Sequence, residues 1–326
     1  MNLKAVWGLF QETFQEWSSD KASRLAAALS YYTIFSIAPL LIIVIAIAGA
    51  IFGEAAARGA IFDQLQGLIG SAGAEVIQTA IENASQPQSG GTIASIISII
   101  VLLFGATGLF AELQDSLNTI WEVQPKPGAT VKRMVRQRVT SFAMVVAIGF
   151  LLLVSLVISA VLTGIVSYFS NLLPGVDFIW QFINFILGFA VTTVLFGLIF
   201  KVLPDVKITW KDVIIGAAIT ALLFSIGRYL LGQYLGNSTF GSTYGAAGSI
   251  VVILVWVNYA AQILFFGAEF TQVYARKYGS RIVPTKDAVP VTEEARRNQG
   301  MSPNTTGQPQ TRREYRRFLK RKKRNE

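Results

Sequence analysis

The sequence predicts an all-α, polytopic membrane protein with six transmembrane helices and an N-terminal amphipathic helix. Three observations carry this. First, 52% of the 326 residues are hydrophobic and only 14% are charged, whereas soluble domains carry about 25% charged residues. Second, six runs reach the about 20 apolar residues that a helix needs to cross a bilayer. They are Leu29–Phe52, Ile93–Ala111, Phe142–Val166, Phe178–Phe200, Val213–Leu235 and Ala246–Phe270. Third, connections rich in Lys and Arg alternate with connections nearly free of them, the pattern of the positive-inside rule. That alternation places both termini in the cytoplasm.

Each element has its own signal. Before the first span, Leu3, Val6, Trp7, Phe10, Phe14 and Trp17 recur at steps of three and four, with Glu12, Glu16 and Asp20 between them. This defines a cytoplasmic amphipathic helix within residues 1–28. Its apolar face either lies in the headgroup region or packs on the bundle. The first span carries Pro39, which removes a backbone donor and predicts a kink near Ser36–Pro39. Residues 53–92 form an outer connection with two short helical patterns, closed by a Gln86–Gly91 breaker. Lys126, Lys132, Arg133, Arg136 and Arg138 follow span two, Asp177 alone follows span three, and Lys201, Lys207 and Lys211 follow span four. The six-span domain runs over 29–270. Residues 271–326 form a cytoplasmic basic tail, with a stretch from Pro284 to about Gly307 that is polar, contains Pro and Gly, and reads as disordered.

The charge balance separates body from tail. The tail holds 15 of the 28 Lys/Arg and 5 of the 19 Asp/Glu, so the formal net charge of +9 belongs to it. Beside an inner leaflet, each base is worth about 1 kcal/mol, so the first reading of the tail is attachment to anionic lipids. Nothing in it resembles a folded RNA-binding module, and no nucleic acid is expected. Cysteine and histidine are both absent. That excludes disulfides, thiolate nucleophiles, imidazole bases and Cys/His metal sites. No catalytic residue, metal or cofactor is expected, and the chain reads as a non-enzyme.

Four polar residues inside the spans are candidates for a substrate pathway: Arg228, Asn258, Gln262 and Glu269. An arginine at the bilayer centre costs at least about 2.5 kcal/mol. Arg228 either snorkels to outer-leaflet phosphates or faces the bundle and binds an anionic group. Asn258, Gln262 and Glu269 fall on one stripe of the last span, where they serve as interhelical hydrogen bonds or line a route. Glu269 is solvated, paired with Arg276, or a group that gates or couples to protons. The uncharged Gly236–Gly248 segment is either an outer turn or a partly re-entrant stretch. Glu112, Asp115 and Asn118 share a helix face and are expected to grip the basic Lys132–Arg138 segment.

The run from Leu25 through Ser30-Tyr31-Tyr32-Thr33 and Pro39 to Leu41 opens a set of motifs. It continues in Phe104-Gly105-Ala106, Leu117-Asn118-Thr119-Ile120-Trp121 and Leu203-Pro204-Asp205-Val206-Lys207. It closes in Tyr244-Gly245-Ala246, Trp256-Val257-Asn258-Tyr259 and Gly267-Ala268-Glu269. In this order the motifs resemble the YihY/virulence factor BrkB family of bacterial inner-membrane proteins, formerly mislabelled ribonuclease BN, over roughly residues 5–275. The resemblance implies a six-span helical protein without an established catalytic site, and supplies no residue roles. The expected function is transport or lipid handling for the cell envelope. The rivals are a structural envelope factor and, disfavoured, an intramembrane enzyme such as a ribonuclease. The expected partners are membrane lipids; the sequence does not fix a homo-oligomeric state.

Overall fold

Without water to bond them, backbone groups in hydrocarbon are satisfied within helices, and the chain is helical almost throughout. The computed structural model describes residues 3–85, 91–126, 139–140, 142–144, 146–147, 149–151, 177–236, 240–279 and 282–302. Helix α1 is Leu3–Ser19, α2 Ala22–Phe52, α3 Glu54–Ser85 and α4 Gly91–Ile120, followed by strand β1, Val123–Pro125. Then come α5 (Asp177–Val202), β2 (Val206–Lys207), α6 (Trp210–Gly236) and α7 (Phe240–Lys277). The chain continues through β3 (Val283–Pro284), β4 (Ala288–Pro290) and α8 (Glu293–Asn298).

Among the described residues, four helices are long and apolar enough to cross a membrane: Ala22–Phe52, Phe182–Val202, Trp210–Leu231 and Gly248–Lys277. The second expected span lies within α4. The third, Phe142–Val166, falls mostly outside the described residues, as does the Lys132–Arg138 segment. The first span starts earlier than the hydropathy suggests, because α2 begins at Ala22, directly after an elbow at Lys21 (φ 54°). Most of the Gly236–Gly248 segment is the opening of α7.

Helix α2 is the hub. It packs on α3, α4 and α7, while α5, α6 and α7 pack in sequence beside it. Small residues set the closest approaches. A Cβ at Gly105 of α4 would stand 3.0 Å from Pro39 of α2, and one at Gly108 would stand 3.4 Å from Ser36 Oγ. Between α6 and α7 the contact is reciprocal: Gly216 lies against Thr271, Thr220 against Gly267, and Gly227 against Tyr259. Such a seam lets two backbones approach within side-chain-free distance, the small-residue packing common in membranes.

Helix α1 shows both faces of its expected duality. Leu9 and Phe10 pack on α7, with the Phe10 and Phe270 rings 5.4 Å apart, and Thr13 beside them is buried. Trp7 and Phe14 remain exposed on the other face. At the far end of α2 the chain reverses at Gly53 (φ 88°), and α3 breaks at Gly70 (φ 78°) into two shorter helices.

Of the stretch from Pro284 to about Gly307 expected to be disordered, the part through Ser302 is ordered, and residues 303–307 lie outside the described residues. Residues 282–302 form a folded strap. Strand β3 pairs antiparallel with β2, and β4 with β1. Composition judged this segment alone, and alone it has no core. Its backbone finds partners in the short stretches after α4 and α5: Val291 N–H donates to Glu122 O (2.9 Å) and Thr285 N–H to Asp205 O (2.9 Å). Arg24 Nη2 of α2 donates to Gln299 O at 2.9 Å, and Ser302 N–H to Ser19 O at 3.4 Å. The strap therefore ties together the α1–α2 elbow and the chain just beyond α4 and α5. The described chain begins with α1 and ends with the strap at this end of the bundle.

Candidate functional site

The four candidate pathway residues fall into three places. Arg228 sits on α6, eighteen residues past Trp210, or about 27 Å along a helix rising 1.5 Å per residue. It is therefore in the half of the bundle remote from the strap. There it lines a groove of about 360 Å³ between α5 and α6, with Asn184, Thr192, Ser225 and the rings of Phe185, Phe189, Phe224 and Tyr229. Arg228 is exposed, and no hydrogen bond or ion pair from the described residues engages its guanidinium. The hydroxyls beside it are already used within their own helices, Thr192 donating to Gly188 O and Ser225 to Ala221 O, both at 2.8 Å. The groove is an aromatic trough with one unengaged cation.

Asn258 and Gln262 are half-buried on α7 and bond each other, Gln262 Nε2 donating to Asn258 Oδ1 at 2.8 Å. No hydrogen bond among the described residues joins this pair to Arg228. The α6–α7 seam between them is closed by the glycine contacts.

Glu269 lies near the strap end of α7 and is completely buried; neither carboxyl oxygen has a hydrogen-bond partner. The expected Arg276 pairing does not form. Arg276 instead donates to Glu12 and, at 3.2 Å, to Glu16 of α1, while Lys277 pairs with Glu12. Burial works against the Glu12 charge, but Lys277 and Arg276 together outweigh it and hold that carboxyl below its usual range.

Beside this pairing sits a constellation that the sequence reading missed. Arg296 of α8 is 3% exposed and holds Asp20 Oδ1 at 2.7 Å and Glu122 Oε1 at 2.9 Å. Asp20 belongs to the α1–α2 elbow and Glu122, with φ 53°, to the end of α4. One guanidinium cannot neutralise two buried carboxylates. Burial outweighs its pull and raises Asp20 to about 6 and Glu122 to about 7. For Arg296 the balance runs the other way: burial disfavours its charge, yet Asp20 and Glu122 hold its pKa above the ordinary value. No spacing in the sequence links positions 20, 122 and 296; the only hint was three acids on the polar side of α1. Asn118 also has a partner other than the expected basic segment. Its Oδ1 accepts from Asp205 N–H at 2.7 Å and its Nδ2 donates to Asp205 Oδ2 at 3.2 Å. Among the described residues, no three Asp, Glu, His or Cys side chains are grouped to hold a metal ion.

Comparison with known proteins agrees with the sequence motifs. The profile of the virulence factor BrkB family matches residues 13–292. A UPF0761 membrane protein of Teredinibacter turnerae is 28% identical over 288 residues, covering 86% of this chain and 64% of that protein. One from Mannheimia succiniciproducens is 26% identical over 279 residues, covering 83% and 90%. One from Alkalilimnicola ehrlichii is 26% identical, covering 80% of this chain but only 57% of its own length. The chain thus spans less than two thirds of some of these relatives. No solved structure matches it. The chain belongs to the virulence factor BrkB family and is an integral membrane protein.

Proposed function

We propose that this family member is a six-span protein of the bacterial inner membrane, both termini cytoplasmic, that handles anionic lipids or similar amphiphiles of the envelope. The strap end is then the cytoplasmic end, in keeping with the basic connections read from the sequence, and Arg228 lies toward the outer leaflet. The observation that carries the reading is the Arg228 groove. A cation inside a span costs several kcal/mol unless it meets an anion or water, and here it faces an aromatic, laterally placed trough. An amphiphile with a phosphate or carboxylate head fits both halves of that description: head on the guanidinium, tail along the rings. Asn258 and Gln262 would hydrogen-bond the head deeper in the bundle.

The closed α6–α7 seam and the apolar core favour a second reading, a structural envelope factor that moves nothing. Complementation separates the two. Lipids of deletion and wild-type envelopes are compared, then Arg228→Gln, Asn258→Leu and Gln262→Leu are each expressed in the deletion strain. Failure of Arg228→Gln to restore the wild-type lipid profile at normal abundance is the expected result. Full restoration by all three variants would sink the lipid-route reading.

A further inference from the structure

Among the described residues, the polar layer at the strap end holds more acid than base, from the enclosed Glu269 and Asp20 to the exposed Lys277. Five carboxyl groups, Glu12, Glu16, Asp20, Glu122 and Glu269, share three cations, Arg276, Lys277 and Arg296. Every cation is committed elsewhere. Arg276 and Lys277 are taken by the acids of α1, and Arg296 by Asp20 and Glu122. From α6, Asp212 accepts the Thr209 hydroxyl at 2.8 Å; from α2, Arg24 is turned to the strap backbone. Glu269 is left enclosed, and the acids Asp20, Glu16 and Glu122, with Arg276, are the charges whose fields reach it. Next to it on α7, the buried Gln272 Oε1 also has no hydrogen-bond partner.

We propose that Glu269 is a proton-binding site, enclosed within the bundle near the end at which α1 and the strap lie. A carboxylate removed from water with neither hydrogen bond nor counter-ion is one of the costliest groups a protein can bury, and taking up a proton removes that cost. The ligand is a single proton, and the balance is simple: carboxylate plus proton gives the neutral acid, with no other bond made or broken. The neutral acid carries an O–H that can donate to an acceptor such as the Gln272 carbonyl, a pairing the carboxylate cannot make. Releasing the proton would restore a bare charge in a closed site, so the ionised state favours displacement of α7 against its neighbours. A lipid-handling membrane protein would thereby gain a coupling to protons. That consequence rests on the proposed function; the proton site itself does not.

The test is infrared difference spectroscopy of the full chain reconstituted in lipid, titrated from about pH 5 to about pH 9, a range spanning perturbed carboxyls. Wild-type protein should show a protonated-carboxyl band at neutral pH that moves on carbonyl-13C labelling of glutamate. The band should persist in Glu122→Gln and lose one carboxyl equivalent in Glu269→Gln. Isotope labelling of the Glu122→Gln protein keeps the question open to measurement even if Glu269→Gln fails to fold. A band of unchanged intensity in Glu269→Gln, or no labelled glutamic-acid band in Glu122→Gln, would overturn the assignment. No lipid substrate enters this experiment, so its outcome is independent of the Arg228 complementation.

Discussion

At the strap end of the bundle, Arg296 is buried between Asp20 and Glu122, and two strand pairs fasten the strap around them. At the opposite end the ion pair Arg58–Glu54 is an i,i+4 contact at 2.9 Å with side chains 38% and 68% exposed. There α3 lies over α2 with space beneath it. Two adjoining cavities of about 380 and 370 Å³ share Ile45, Arg58 and Ile81. Among the described residues, one end is closed by contacts between residues hundreds of positions apart, while the other holds space between α2 and α3. A buried pair resists removal of one partner because the survivor stays charged out of water. An exposed pair gives up little, because water replaces it.

Substitutions should reveal this asymmetry in order of size. Arg296→Gln leaves two buried carboxyls without their cation and should cost about 3–5 kcal/mol. It should appear as a marked loss of thermal stability in detergent and early proteolytic cleavage within 282–302. If Arg296→Gln melts like the wild type, the strap is not fastened as described.

Gly216→Ala or Gly267→Ala should cost about 1–3 kcal/mol, since the new methyl meets Thr271 or Thr220 across the α6–α7 seam. Thr220→Ala combined with Gly267→Ala should recover most of the loss. Failure of that rescue would mean that the seam is not held by this contact.

The strap should also loosen with rising pH. Asp20 and Glu122 are raised in the folded protein to about 6 and about 7, above ordinary carboxyl values near 4. The fastened state therefore binds more protons than the released one. Its stability is full below about pH 4 and falls as pH rises through about 6 to 7, then levels off. Hydrogen exchange of the β1–β4 and β2–β3 amides, corrected for its intrinsic pH dependence, should show this slope, and Glu122→Gln should flatten it. Protection that is constant or increases over that window would contradict the sign.

The smallest effect belongs to Arg58→Ala, expected to change stability by about 0–1 kcal/mol. A loss comparable to that of Arg296→Gln would erase the contrast between the two ends.

The membrane character, the helical class, the amphipathic first helix and the family were legible in the sequence. Each rests on a local sum or a local spacing. Apolar transfer energies add along about 20 consecutive residues, so α2, α5, α6 and α7 announce themselves one by one. Ordered motifs such as Leu203-Pro204-Asp205 need no knowledge of neighbours in space. The polar contacts were not legible, because their energies depend on who faces whom. Arg296 sat in a stretch whose composition lacks a core, and only tertiary pairing gave it Asp20 and Glu122 as partners. Arg276 was about two turns from Glu269 in sequence, yet α1 supplied Glu12 and Glu16 and took it away. The groove at Arg228 likewise exists only because α5 lies beside α6 at that depth. Hydrophobicity is a property of a segment and can be read along the chain. A buried charge is stable or unstable according to its neighbours within a few ångströms, and only the tertiary structure decides those.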